Sequence, residues 1–212
     1  MEIIDNKALL LKLRHPRQVT TVIPKSKEVN GKVLVKWGVD ETHVLKNLNI
    51  NVPSPINGRY DWPGQYKPFK HQKTTSAFLT MNRKAFCFNE QGTGKTASAI
   101  WASDFLMKQG AIKRVLVICP LSIMDSAWRN DLFSFAMHRS VDVAYGSADK
   151  RRKIINSGAE YVIINYDGVA IVADAISSGR FDLIIVDEAR YVVMDDDGYA
   201  RCTKPVGCLR PS

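Results

Sequence analysis

Several features are missing from this sequence, and each absence narrows the reading. No apolar run approaches the roughly 20 residues needed to cross a bilayer. The opening Met1-Glu2-Ile3-Ile4-Asp5-Asn6-Lys7 lacks the charged-then-apolar layout of a secretory signal. A soluble, cytoplasmic protein with no membrane partner is expected. Cysteine is scarce, at four in 212 residues. Cys87 and Cys119 fall inside apolar runs, where a thiol acts as a small hydrophobe. Cys202 and Cys208 lack the paired spacing and the histidines of a zinc site. His15 and His43 have no cluster of ligand types nearby and are read as surface residues. Acidic residues are sparse on the amino side: residues 1–88 hold 15 Lys/Arg against 6 Asp/Glu, whereas residues 89–212 hold 15 against 15. The whole excess of positive charge therefore lies in the first 88 residues, as suits a face that attracts a polyanion.

What is present divides the chain into four parts. Residues 1–60 form a small basic accessory domain of hairpin plus helix. Val19–Ile23 and Lys32–Trp37 are β-branched runs joined across a loop with the turn pair Asn30-Gly31, and Asp40–Leu48 has apolar residues at helical spacing. Between Val52 and Pro68 lie four prolines and two glycines, which argue against regular structure; residues 61–68 are the linker proper. Residues 69–190 alternate. A helix is expected over Lys73–Met81, then strands at Lys84–Phe88, Arg114–Cys119, Val141–Tyr145, Tyr161–Asn165 and Phe181–Val186. Between the strands come helices near Lys95–Gln109, Leu121–Ala136, Ala148–Ser157 and Val169–Ser178. Continuously apolar strands such as Val115-Leu116-Val117-Ile118 predict a doubly wound, mostly parallel α/β sheet covered on both faces. Residues 191–212 lack the periodicity of a further helix, and a poorly ordered tail is expected.

Two stretches carry chemistry. Asn89-Glu90-Gln91-Gly92-Thr93-Gly94-Lys95-Thr96 lies ahead of a helix and has the composition of a phosphate-binding loop, with Asn89 where the full pattern has glycine. Gly92 and Gly94 permit a tight turn whose N–H groups converge on an anion. Lys95 would reach the outer phosphates of a nucleotide, and the Thr96 hydroxyl would ligate Mg²⁺. The second stretch, Asp187-Glu188, ends an apolar strand. Phosphoryl transfer with a metal needs such a pair, one carboxylate to hold the ion and the other to activate water. On a parallel sheet both stretches belong at the carboxyl ends of strands.

In their order across residues 66–190, the motifs resemble the first motor domain of superfamily-two helicases and translocases, closest to the Swi/Snf-type branch, of phage or bacterial kind. Tyr66-Lys67-Pro68-Phe69-Lys70-His71-Gln72 resembles the motif whose glutamine reads adenine. Gly92-Thr93-Gly94-Lys95-Thr96 matches motif I, in which this family often lacks the leading glycine. Leu116–Met124, with Trp128 after it, resembles motif Ia, and Ile163-Ile164-Asn165-Tyr166-Asp167 the motif that follows. Asp187-Glu188-Ala189-Arg190 resembles the acidic box, with Arg190 in the place of the family's histidine, a substitution that bears on coupling. The resemblance implies a RecA-like fold with ATP and Mg²⁺ as cofactors. It implies catalytic roles for Lys95, Asp187 and Glu188, and nucleotide contacts from Gln72, Gly92, Thr93, Gly94, Lys95 and Thr96. Thr96 and Asp187 would hold the metal. Pro120, Ser122, Asn165 and Tyr166 would face nucleic acid, DNA rather than RNA. It also implies a second motor domain supplying arginines, which these 212 residues do not contain, so weak activity is expected of them alone. The alternative is a non-catalytic module binding nucleic acid or protein through the basic amino-terminal region.

Overall fold

The computed structural model describes residues 1–188 and the backbone of two short strands beyond them. The chain divides into two compact units, 1–62 with 67–109, and 63–66 with 110 onward.

The first unit opens with an antiparallel sheet of β1 (Glu2–Ile4), β2 (Ala8–Leu11), β3 (Lys27–Val29) and β4 (Lys32–Lys36), in the order β1-β2-β4-β3. Asn30 and Gly31 join β3 to β4 with φ of +50° and +71°, the mirror-image turn that suits the twist of a two-residue hairpin. The hairpin therefore uses the expected turn but a different first strand. Val19–Ile23, expected as that strand, lies in and just after the helix α1 (Pro16–Val22). Pro16 occupies an initial helical position, where its missing N–H costs nothing. Val19 and Ile23, four residues apart, then both face the core. The helix α2 (Val39–Asn47) follows β4. Leu9, Leu11, Val33 and Val35 from the sheet pack with Val19, Trp37 and Leu45.

The proline-rich segment is not wholly irregular, since it contains the single turn α3 (Ile56–Arg59). It is tied to the sheet domain. The Trp37 indole N–H donates to the Pro53 carbonyl at 2.9 Å, and Arg59 donates to the Trp37 carbonyl at 2.7 Å. Beyond it, α4 (Lys70–Thr80) packs on α5 (Lys95–Lys108). Tyr60 donates its hydroxyl to the fully buried Asp104 of α5 at 2.6 Å. The strand expected at Lys84–Phe88 is absent: the run joins no sheet, and Phe88 is 83% exposed. An apolar run becomes a strand only where a neighbour supplies the ladder.

The second unit is built on a parallel sheet of β5 (Val115–Cys119), β6 (Val141–Ala144), β7 (Tyr161–Asn165) and β8 (Leu183–Val186), in the order β6-β7-β5-β8. Leu116, Ile118, Val162 and Ile164 meet Ile155 of α7 (Ala148–Ile155), Val169 of α8 (Tyr166–Ile171) and Ile176 of α9 (Ala173–Ser178). The helix expected over 121–136 is broken in three: a 3₁₀ turn Leu121–Ile123, a π-helical stretch Met124–Arg129, and α6 (Asn130–Phe135). The π-helical stretch packs on β6 and β7. Arg114, unremarked in the sequence, donates to the carbonyls of Ala159, Ile155 and Gly179 and lies 4.5 Å from the Phe181 ring centre. Burial pushes its guanidinium pKa down.

Beyond Glu188, β9 (Val192–Met194) pairs antiparallel with β10 (Ala200–Cys202). The expectations for Arg190 and for the order of the tail lie otherwise outside the described residues. Among the described residues no helix is long and apolar enough to cross a membrane.

Candidate functional site

In the first unit the loop at residues 89–96 has the backbone its sequence requires. Gly92 and Gly94 take φ of +78° and +74°, and Gly94 caps the start of α5 in the left-handed region, which glycine enters without steric cost. The two glycines differ in surroundings. A Cβ on Gly92 would meet nothing within 4 Å, whereas one on Gly94 would lie 2.1 Å from the Gln72 Nε2. The loop thus leaves open space at Gly92, as a cradle for phosphate must. The Lys95 ammonium folds back to donate to the carbonyls of Asn89 at 2.8 Å and Glu90 at 2.9 Å. A charge-assisted bond from this ammonium to an anionic oxygen would be stronger than either. Thr93 closes the loop by donating its hydroxyl to the Glu90 carbonyl at 2.8 Å. Thr96 is half-buried in the first turn of α5.

Gln72 and the loop are in contact. The Gln72 amide N–H donates to the Thr93 carbonyl at 3.3 Å, and its oxygen accepts the Phe69 backbone N–H at 2.9 Å. A glutamine amide has two N–H donors and two lone pairs, so one of each remains for the edge of a base. His71, quoted within the motif but given no role by sequence reasoning, also reaches the Thr93 carbonyl at 3.0 Å. Its ring stacks on Phe69, with centres 5.7 Å apart. Gln72, Thr93, Gly94 and Lys95 are therefore one connected group.

The second unit gathers the other candidates. Its strands are parallel, so Pro120 after β5, Asn165 at the end of β7 and Asp187 after β8 all leave the sheet on the same side. Asp187 is held at four atoms. Its N–H donates to the Ile118 carbonyl at 2.9 Å, extending the β5–β8 ladder. Its Oδ1 accepts the Glu188 N–H at 2.9 Å, its Oδ2 accepts the Trp128 indole N–H at 2.8 Å, and its carbonyl accepts the Tyr166 hydroxyl at 2.6 Å. Each carboxylate oxygen keeps a lone pair for a metal-bound water. Glu188, exposed, has φ of +50°. Burial, with the Asp187 and Glu188 carboxylates adding to it, pushes the Cys119 thiol up to about 12, so Cys119 beneath this rim stays neutral. Among the described residues no three His, Cys, Asp or Glu side chains form a metal cage. A single well-oriented carboxylate suits Mg²⁺, which keeps most of its water and shares the rest of its shell with phosphates.

The residues assigned to nucleic acid are less alike than their shared role suggests. Ser122 is exposed on the 3₁₀ turn and Pro120 is half-buried. Asn165 is only 6% exposed, and its amide oxygen accepts from the equally buried Arg151 at 2.8 Å. Sequence reasoning missed Arg151 and the grip of Trp128 and Tyr166 on Asp187. An unpatterned arginine and two bonds spanning 59 and 21 residues leave no local trace.

A family described as type III restriction enzyme, res subunit, matches residues 65–204. Protein p41 of Acyrthosiphon pisum secondary endosymbiont phage 1 is 31% identical over 103 residues, which are 46% of this chain and 22% of p41. The chain thus spans about a fifth of that relative. Among solved structures, the Sulfolobus solfataricus SWI2/SNF2 ATPase core in complex with dsDNA aligns with a TM-score of 0.53 and 24% identity, over 61% of this chain and 27% of that one. At that identity the likeness is one of fold.

Proposed function

Since the chain belongs to the family of the type III restriction enzyme res subunit, with the first RecA-like motor domain of a superfamily-two helicase or translocase, we propose that it binds ATP with Mg²⁺ and hydrolyses it in response to DNA. The observation that carries this reading is the loop at residues 89–96. Two glycines there hold left-handed backbone, and the Lys95 ammonium rests on the loop's own carbonyls, 2.8 and 2.9 Å away.

Residues 69–190 serve as the motor domain and residues 1–60 as a basic accessory domain. The Gly92–Thr96 backbone N–H groups and Lys95 bind the triphosphate, and the free donor and acceptor of Gln72 favour adenine over guanine. Thr96 and Asp187 hold the metal, which supplies charge neutralisation on the phosphates when bound. Glu188 orients and deprotonates the attacking water. Pro120, Ser122 and Tyr166 approach the nucleic-acid backbone, with Asn165 acting from beneath through its position. Transition-state arginines would come from a second motor domain, so residues 1–212 alone are expected to bind nucleotide yet turn it over slowly, by a factor of about 10³ to 10⁵. A nucleotide titration on Lys95→Ala beside the parent chain tests the reading. Affinity should fall at least tenfold, and equal affinity would overturn it.

A second reading keeps nucleic-acid binding without catalysis. It is favoured by the shallow cavity of about 540 Å³ where Arg14, His15 and Arg17 face a single acid, Glu28.

A further inference from the structure

We infer that Trp128 and Tyr166 are positioning residues that set the geometry of the acidic corner, so that the segments carrying them control Asp187 directly. The inference rests on the motor reading above and adds to it two side chains with separate tasks. Trp128 fixes the carboxylate: its indole N–H holds Oδ2 at 2.8 Å while the Glu188 N–H holds Oδ1 at 2.9 Å. The carboxylate cannot turn without losing one of them. The indole is itself fixed, being 1% exposed within the π-helical stretch. Tyr166 fixes the backbone instead. Its hydroxyl binds the Asp187 carbonyl at 2.6 Å and so orients the peptide plane between Asp187 and Glu188. That plane precedes the one residue of the pair with positive φ, Glu188 at +50°, a conformation that a glutamate adopts only when held there.

Both positioning groups arise from segments that also carry residues assigned to nucleic acid. Trp128 follows the 3₁₀ turn carrying Ser122, and Tyr166 follows Asn165, which Arg151 anchors. A ligand that displaces either segment must shift an atom of Asp187 or break its bond. Occupation of the Ser122 and Tyr166 side and the metal affinity of Asp187 are thereby linked, and linkage is reciprocal. This gives the corner a route for coupling that does not pass through residue 190.

The test is Mn²⁺ binding, followed by electron paramagnetic resonance with a non-hydrolysable ATP analogue, on the 212-residue chain and on Trp128→Phe and Tyr166→Phe. Partners that orient a metal's ligand are worth about 10- to 100-fold in metal affinity, so half-saturation should rise at least tenfold in Trp128→Phe and by a smaller factor in Tyr166→Phe. Unchanged half-saturation in both, even with a lowered unfolding midpoint, would mean that they merely pack and would overturn the inference. Should Trp128→Phe fail to fold, Tyr166→Phe, which loses one oxygen and no packing, decides alone. If the parent chain binds no Mn²⁺ with the analogue, the motor reading itself falls and takes this inference with it.

Discussion

At the scale of single residues, the loop glycines separate two costs that are usually confounded. Gly92 requires glycine for its backbone angle alone. Gly94 requires it for the angle and for the approach of Gln72. A left-handed alanine costs about 1–2 kcal/mol, so Gly92→Ala should destabilise by that much in urea denaturation. Gly94→Ala should cost more, because the Gln72 amide must leave the Thr93 carbonyl. Truncating Gln72 to alanine should return the excess: in a double-mutant cycle Gly94→Ala and Gln72→Ala should couple by about 1 kcal/mol, while Gly92→Ala and Gln72→Ala should not. Additivity for both pairs would mean that Gln72 does not seat the loop.

At the scale of elements, the four parallel strands were legible as short runs dominated by β-branched or apolar residues; Val115–Cys119 and Tyr161–Asn165 are buried throughout, whereas Val141–Ala144 carries Asp142 and Leu183–Val186 exposes Ile184 and Val186. The same cue misled at Val19–Ile23, where Pro16 starts a helix and burial of Val19 and Ile23 outweighs β-propensity. It misled again at Lys84–Phe88, since composition cannot reveal whether a partner strand exists. The motif letters pointed to the loop and the acidic corner, but Trp128 and Tyr166, which hold the corner, and Arg151, which holds Asn165, come from other parts of the sequence. Glu160 is another such tie, joining the segments that enter β6 and β7. It accepts from Arg139 at 2.5 Å and from the Ser140 N–H at 2.9 Å. Burial alone would raise its pKa, but the Ser140 N–H and the Arg139 guanidinium outweigh this and hold it below the usual glutamate range. A depressed carboxyl pKa stabilises the fold above the unfolded value, and that contribution is lost as pH falls through the folded one. Glu160→Gln should therefore cost about 1 kcal/mol at neutral pH, modest because the pair is partly exposed. Its denaturation curve should converge with the parent's as pH drops below the ordinary glutamate range. A gap that persisted in acid would mean that the loss is one of hydrogen-bond geometry rather than charge.

At the scale of the whole molecule the dominant feature is the division of charge, with 15 basic against 6 acidic residues up to position 88 and balance after it. Some of the amino-terminal basic side chains are paired with acids of the same region, as where Lys32 meets Glu2 at 2.8 Å and Lys36 lies 3.8 Å from Glu41. Arg14 and Arg17 are different: both are exposed, and they line the cavity whose one acid is Glu28. If nucleic acid is held there, its phosphates displace counterions, and each contact on a duplex contributes about 0.9 to the slope of log affinity against log salt. Replacing both arginines with alanine should then lower the magnitude of that slope by about 2, an effect read by fluorescence anisotropy on a labelled duplex across a salt series. Lys95→Ala should leave the slope as it was if, as proposed, that lysine serves nucleotide and not the duplex. A slope unmoved by the arginine pair would reduce the amino-terminal charge to a solvated surface.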